Sequence, residues 1–272
     1  MTAHTDAGSL KRGVALLKLL ATAGARGLPL TEVAEKSGVP HPSAHRVLWQ
    51  LIAERLAEHN PETRRYRLGP LAFELGVAGS TMYDIRDLCE PSMNALAKAT
   101  EDTIYLVVRS GFDAVCMHRC EGSFPIRTLV LEVGSRRPLG AGAGGLAILA
   151  AINTEEQQDI IERVTPGLAA FGHLTADALA GACTQARDDG IAVIRNRVNL
   201  GVTAVGVHFC DAMNQPVGAL SVAALSQRMS PSRIEAIAAQ LKSAGLEVEQ
   251  RLRSKSRGLW RAGGQATAVQ PA

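Results

Sequence analysis

The hydrophobic positions of this chain change period along its length, and the changes predict its elements. Leu10, Val14, Leu17 and Ala21 recur at three- and four-residue intervals, a first helix with one apolar face for which Ser9 is the cap. After a loop, GARGLP (24–29), Thr31 is placed to cap a short helix through Val33 and Ala34. Gly38 then supplies a turn, and Pro42 opens a second helix, where its missing N–H is unpaired in any case. On that helix Ala44, Val47, Leu48, Leu51 and Ile52 make an apolar stripe, while Ser43, Arg46 and Gln50 share the opposite face. Periodicity leaves two readings open: ordinary amphipathic core helices, or a helix-turn-helix whose polar face enters a DNA major groove. Trp49 is unusual on such a face and is expected to pack on a neighbouring helix or a partner subunit.

The period then shortens. NPETRRYRLG (60–69) starts with a turn signal and continues with arginines alternating about Tyr66, the pattern of a β-hairpin. An apolar run, 71–81, with Leu71, Leu75 and Ala78 on one stripe, predicts a linking helix. A further helix over 84–100 buries Leu88, Met93 and Leu96. Strand-like segments follow at 103–109, 114–120 and 125–133, with turns at Gly111 and Gly122. After helices around 155–164 and 176–189, three more strand-like segments come in IAVIRNR, GVTAVGVHFC and PVGALSVAAL. A last amphipathic helix, 230–252, carries Ile234, Ile237, Leu241 and Leu246 and is capped by Ser230. Residues 1–8 and 262–272 read as disordered, and the basic stretch from Arg251 to Arg261, with Trp260, as a solvated tail.

Composition adds a direction. Of the 272 residues, 46% are hydrophobic and 20% charged, with no run of membrane-spanning length and no signal peptide at the N-terminus, which places the chain in the cytoplasm. Five scattered cysteines suit reduced thiols better than a disulfide framework. The net charge of +3 splits into +4 over residues 1–70, −6 over 71–250 and +5 over 251–272. A duplex needs cations only where it lies, so the basic head and acidic middle fit a DNA-binding domain joined to a domain of another kind.

Candidate catalytic chemistry is thin. Cys116, His118 and Cys120 share one face of a regular strand, but the outer two then lie roughly 13 Å apart, too far for one tetrahedral zinc. RRPLGAGAGGLAILAAI (136–152) has neither a P-loop Lys-Ser/Thr pair nor a dinucleotide fingerprint. It reads as a loop feeding a helix start able to hold a carboxylate, or as a glycine-rich turn that merely allows close packing. No nucleophile with a base is found among His118, His173, His208 and the cysteines, so no catalytic residue, metal or cofactor is expected.

SLKRGVALLKLL, LTEVAEKSGVPHPSAHRVLWQL and RRYRLG, in this order and spacing, resemble the winged helix-turn-helix of the IclR family of bacterial transcriptional regulators, and the resemblance extends over about residues 9 to 250. It implies an α+β chain: a winged helix-turn-helix domain (9–70), a linker helix (71–83) that contributes to dimerisation, and a GAF-like antiparallel-sheet effector domain (84–253), followed by a basic tail (254–272). The partners it implies are operator DNA, a small organic acid and further copies of the chain in a dimer or tetramer. Arg46 matches an arginine of the family motif, and its planar fork can take guanine O6 and N7 or clamp a phosphate. Ser43 stands where the family usually has threonine, Arg12 is placed to touch backbone phosphate, and His41, His45 and Gln50 complete the helical face. In the wing, Arg64 and Arg65 point to opposite sides of a strand and Tyr66 either packs or bonds phosphate. The family's pocket positions fall on Leu129, Ala143, Gly144, Ile194, Ala204, Ser221 and Ala223, and Arg197 replaces a customary glutamate. In the best-known small-oxoacid pocket of the family the positions of Ile194, Ala204 and Ala223 are polar, so a larger or more apolar effector is expected here, such as an aromatic acid held at the glycine-rich helix start. Two other readings stay open: an enzyme with a DNA-binding appendage, and a ligand-independent DNA-binding or assembly protein.

Overall fold

A computed structural model of the chain describes residues 6–23, 26–78, 83–172 and 174–263, which fall into two compact units divided between Tyr83 and Asp84. The expected disorder of 1–5 and 264–272, the Gly24-Ala25 part of the loop, the linker positions 79–82 and His173 lie outside the described residues.

In the first unit, helices α1 (Asp6–Thr22), α2 (Leu30–Ser37) and α3 (His41–Ala53) pack around Leu16, Leu20, Val33, Val39, Val47 and Leu48. Strands β1 (Leu28–Pro29), β2 (Ala57–Asn60) and β3 (Arg65–Leu68) form an antiparallel sheet in the order β1-β3-β2, and the β2–β3 hairpin is the wing. Gly38 ends α2 at φ 66°, the left-handed conformation that the turn between the two helices needs. Helix α4 (Pro70–Ala78) follows the wing.

Several sequence expectations change here. Helix α1 begins at Asp6, so part of the N-terminal segment taken as disordered is helical and Ser9 is inside the helix rather than its cap. Its buried stripe is Gly13, Leu16 and Leu20, one residue out of step with the expected one, and Leu10 is 72% exposed. Helix α2 starts at Leu30 after Pro29 with no side-chain cap, which leaves Thr31 within its first turn.

The second unit is a six-stranded antiparallel sheet with helices on both faces. Strands β4 (Thr103–Ser110), β5 (Asp113–Cys120), β6 (Arg136–Pro138), β7 (Ala192–Arg195), β8 (Val202–Cys210) and β9 (Pro216–Leu225) lie in the order β6-β5-β4-β9-β8-β7. Side chains alternate across the sheet. Tyr105 and Val107 join the core under α6 (Ala143–Ala151), α7 (Thr154–Leu168) and α8 (Ala176–Asp189). Ile104, Leu106, Val205, Val207 and Phe209 face α5 (Tyr83–Thr100) and α9 (Pro231–Gly263).

Three more expectations are corrected in this unit. The strand expected over 125–133 is an irregular segment without ladder pairing. On β5 the register slips opposite Leu106/Val107, so that Val107 faces Cys116 and Leu106 faces His118, with Met117 bulged between them. Cys116 consequently enters the core beneath α6 while Cys120 enters the core against α5 and α9, and the shared face of Cys116, His118 and Cys120 does not exist. Finally, α9 continues to Gly263, so the basic stretch from Arg251 to Arg261, expected as a tail, is helical.

Candidate functional site

The polar face of α3 is built as its period requires. Ala44, Val47, Leu48 and Leu51 anchor the helix. His41, Arg46 and Gln50 are left exposed and Ser43 half-buried, and the Arg46 guanidinium has no partner among the described residues. Trp49 packs on its own helix: its Nε1–H donates to His45 Nε2 at 2.9 Å and the rings meet edge to face. A neutral His45 therefore carries its proton on Nδ1, the one donor it has left for a phosphate. Arg12 is exposed on α1.

The wing divides its three predicted residues. Arg64 sits in the turn at φ 53°, exposed, rather than on the strand. Arg65 is on β3, and its Nη1 donates to the Gly27 carbonyl at 2.9 Å, so it ties the wing to the loop before α2. Tyr66 is only 5% exposed and packs on His59 with ring centroids 4.6 Å apart, which agrees with the packing alternative of the two. Arg26 and Arg67 were missed. Together with Arg65, Asn60 and Thr63 they line a polar concavity beside the wing. The period of two in Arg-Tyr-Arg could have shown that Arg65 and Arg67 share a side; nothing local could have brought Arg26 there, because the pairing of Leu28 with Tyr66 is long-range.

The second site lies at the start of α6. Its cap residue, Gly142, offers no side chain, and the first helical hydrogen bond is Leu146 N–H to Gly142 O at 2.8 Å. The N–H groups of Ala143, Gly144 and Gly145 have no acceptor among the described residues, although all three residues are buried. Ser221 on β9 is 6% exposed, and its Oγ has no partner among the described residues and lies 3.5 Å from where a Cβ on Gly144 would stand. These groups face a cavity of about 50 Å³, walled by Val107, Ala114, Ile194, Val202 and Ala204. Gly206 makes the close approach possible, since a Cβ there would stand 2.6 Å from the Ala143 carbonyl oxygen. Unpaired N–H donors, a helix dipole and a hydroxyl in an apolar recess can hold a carboxylate.

Of the predicted pocket residues, Ala143, Gly144, Ile194, Ala204 and Ser221 come together around this cavity. Two do not. Leu129 is 48% exposed outside it, and Ala223 is buried in the core as the register partner of Ala204. Sequence reasoning missed Tyr105, Cys116, Val130, Leu131, Arg137 and Asn199. The irregular segment 121–135 is the reason: it crosses the cavity as a strap held by its carbonyls. Tyr105 Oη donates to Thr128 O at 2.6 Å and accepts from Val130 N–H at 2.9 Å, Arg119 Nη1 donates to Leu131 O at 3.2 Å, and Arg137 Nη2 donates to Val130 O at 2.5 Å. Burial pushes the Tyr105 phenol up, the Cys116 thiol up to about 11, and Arg137 below the usual guanidinium range.

A winged helix-turn-helix in one unit and an apolar cavity with free polar donors in the other point to a class, the ligand-responsive DNA-binding regulators. The comparisons sharpen it. The model of the IclR helix-turn-helix domain matches residues 9–61 and that of the bacterial transcriptional regulator IclR C-terminal domain residues 79–250. The chain is 27% identical over 251 residues to the HTH-type transcriptional regulator XynR of Escherichia coli (strain K12), covering 90% of this chain and 96% of that one. Among solved structures, an IclR transcriptional regulator from Alicyclobacillus acidocaldarius superposes with a TM-score of 0.71 at 24% identity, covering 89% of this chain and 98% of that one. An IclR homolog from Microbacterium hydrocarbonoxydans, solved in complex with 4-hydroxybenzoate, gives 0.69 at 21% identity over 90% of this chain and 99% of that one. The chain belongs to the IclR family of transcriptional regulators.

Proposed function

We propose that this regulator binds operator DNA through α3 and the wing, and that a small organic acid in the cavity at the start of α6 sets its operator occupancy. The observation that carries the reading is the buried helix start, with three unpaired N–H groups and the free Ser221 hydroxyl facing an apolar recess. Such donors are costly to leave dry and unfilled, and a carboxylate satisfies them. The apolar walls favour an acid with a hydrophobic or aromatic body, as in the relative that binds 4-hydroxybenzoate. Binding alters operator occupancy only to the extent that the acid prefers one arrangement of the paired heads over another.

In this reading Arg46, Gln50, Ser43, His41 and His45 meet the major groove, and Arg12, Arg64 and the Arg26–Arg67 concavity meet phosphates. The DNA-binding domain covers 9–70, a linker 71–83, and the effector domain 84–263, since α9 runs on to Gly263. Leu10 on α1 and Phe73 and Leu75 on α4 expose large apolar side chains, which supports self-association into a dimer or tetramer. Among the described residues no helix is long and apolar enough to cross a membrane, and a chain working on operator DNA belongs in the cytoplasm. No catalysis is assigned: burial holds the thiols of Cys89 and Cys183 up at about 12 and that of Cys116 at about 11, which makes them poor nucleophiles.

The test is a mobility-shift titration of the purified protein on its own upstream intergenic DNA, at two salt concentrations and with excess competitor. Specific, salt-sensitive shifts that organic acids alter are expected; loss of all binding to competitor at both salts would overturn the operator reading.

A further inference from the structure

We propose that the cavity has a second anion-binding pole at Arg137, and that its effector is a dicarboxylic acid spanning the two poles. The proposal rests on the reading of the cavity as the effector site. Arg137 is the one charged side chain among the described residues lining it. Its neighbour in the sequence turns away from the cavity: Arg136 pairs with Asp113 at 3.0 Å. Arg137 has no carboxylate of the described residues within salt-bridge distance. One Nη2 hydrogen bond goes to the strap carbonyl of Val130, and the Phe171 ring lies 5.7 Å from the guanidinium carbon. Most of the five N–H donors of a guanidinium are left for a ligand. A half-buried cation without a counter-ion is an expensive arrangement, and an anionic ligand offsets the cost.

The first pole, at Ala143–Gly145 and Ser221, is elsewhere in the same recess. In the strand order β6-β5-β4-β9, Arg137 and Ser221 are three strand spacings apart and, through Ala114, Arg109 and Tyr105, four residues apart along the strands, roughly 19 Å between backbones. Arg137 is the register partner of Ala114, a cavity wall residue on β5, so the two side chains are on the same face of the sheet and both line the recess. Val107 and Ala114 lie against Gly144 and Gly145 at the first pole, and no carboxylate lines the recess among the described residues. A monocarboxylate satisfies one pole and leaves the other unpaired. A diacid with a compact apolar body satisfies both.

The experiment measures the affinity of the full-length protein for adipate and terephthalate, and for the monomethyl ester of each, by calorimetric titration. These are repeated on Arg137→Gln, which keeps a donor for Val130 O but drops the charge, on Arg137→Lys, which keeps the charge, and on Ser221→Ala. The expected result is that at least one diacid binds the wild type about tenfold or more tightly than its half-ester. Arg137→Gln should erase that difference while leaving half-ester affinity within about twofold, Arg137→Lys should keep part of it, and Ser221→Ala should weaken diacid and half-ester alike. Half-esters that bind as well as the diacids overturn the second pole and leave the acid-effector reading standing. Loss of diacid and half-ester together in Arg137→Gln overturns it as well, since Arg137 would then serve the first carboxylate or the fold. If neither class of acid binds the wild type, the effector reading falls and the dicarboxylate with it. Should Arg137→Gln not fold, the wild-type comparison of diacid with half-ester still decides the two-pole claim.

Discussion

Arg46 and Arg137 illustrate how differently two arginines disclose themselves. Arg46 was legible because a helix repeats every 3.6 residues, so its apolar anchors identify the opposite face. Arg137 lies in the glycine-rich segment, yet its direction depends on a three-residue edge strand whose partner is set by long-range pairing. For Arg46→Ala, operator binding is expected to weaken by about 1–3 kcal/mol with the gap to competitor DNA narrowing, as read by titration on both; a uniform loss on all sequences would mark a phosphate contact instead. Asp102 makes a stability prediction of the same scale. Its side chain is 3% exposed and lies 2.8 Å from Arg233 and 3.2 Å from Arg228, whose guanidinium covers the Phe124 ring. Removing the carboxylate leaves Arg233 without a counter-ion among the described residues and Arg228 with only Glu101 at 3.7 Å, and Asp102→Ala should cost about 3–5 kcal/mol in urea unfolding. His208 supplies a pH dependence. Burial lowers its pKa below 6.5, with Glu249 opposing. Below pH 6.5 the unfolded chain takes up the proton first, so stability falls as pH drops through the window between 6.5 and the lower folded value. Above that window His208 is neutral in both states and contributes no slope. Unfolding of His208→Asn, followed against pH, should show a shallower decline.

At the level of elements, helices were read better than strands, and the errors have one origin. A strand is defined by its partner, and the chain from Pro125 to Val133 has the β-branched composition of a strand without a neighbour to pair with. Its carbonyls are taken instead by Tyr105, Arg119 and Arg137. The bulge at Met117 escaped for the same reason, because a register slip leaves no trace in a period-two pattern. Helix α1 was placed correctly but its buried face was not: both stripes are apolar, and which one is covered depends on α2 and α3. The contact between β8 and α6 gives an element-scale prediction. Gly206→Ala would set a methyl 2.6 Å from the Ala143 carbonyl oxygen and 3.0 Å from the Gly144 nitrogen. The start of α6 must then move, with a loss of about 1–3 kcal/mol in stability and of any acid-induced rise in melting temperature.

For the molecule as a whole, the division into a basic head and an acidic second part was visible in charge alone, while oligomeric order was not. Self-association, as proposed, would run through the exposed Leu10, Phe73 and Leu75 of the N-terminal unit. Replacing Leu10 and Phe73 by Asp should lower the sedimenting mass and weaken operator binding together; an unchanged mass would move the interface elsewhere. Footprinting should show paired half-sites about 34–36 Å apart, centre to centre, or a multiple of that spacing.

The slip at Met117 has one more consequence. It sets Cys116 in the core beneath α6 where it also lines the cavity, which Cys89, Cys120 and Cys183 do not. Burial pushes the Cys116 thiol up to about 11 and leaves the residue 1% exposed, so alkylation there is slow and requires entry into the recess. The rate at which a small maleimide marks the peptide carrying Cys116, followed by mass spectrometry at mildly alkaline pH, therefore becomes a clock for cavity occupancy. Any compound that fills the recess slows it, including one that leaves the melting temperature and the DNA shift untouched.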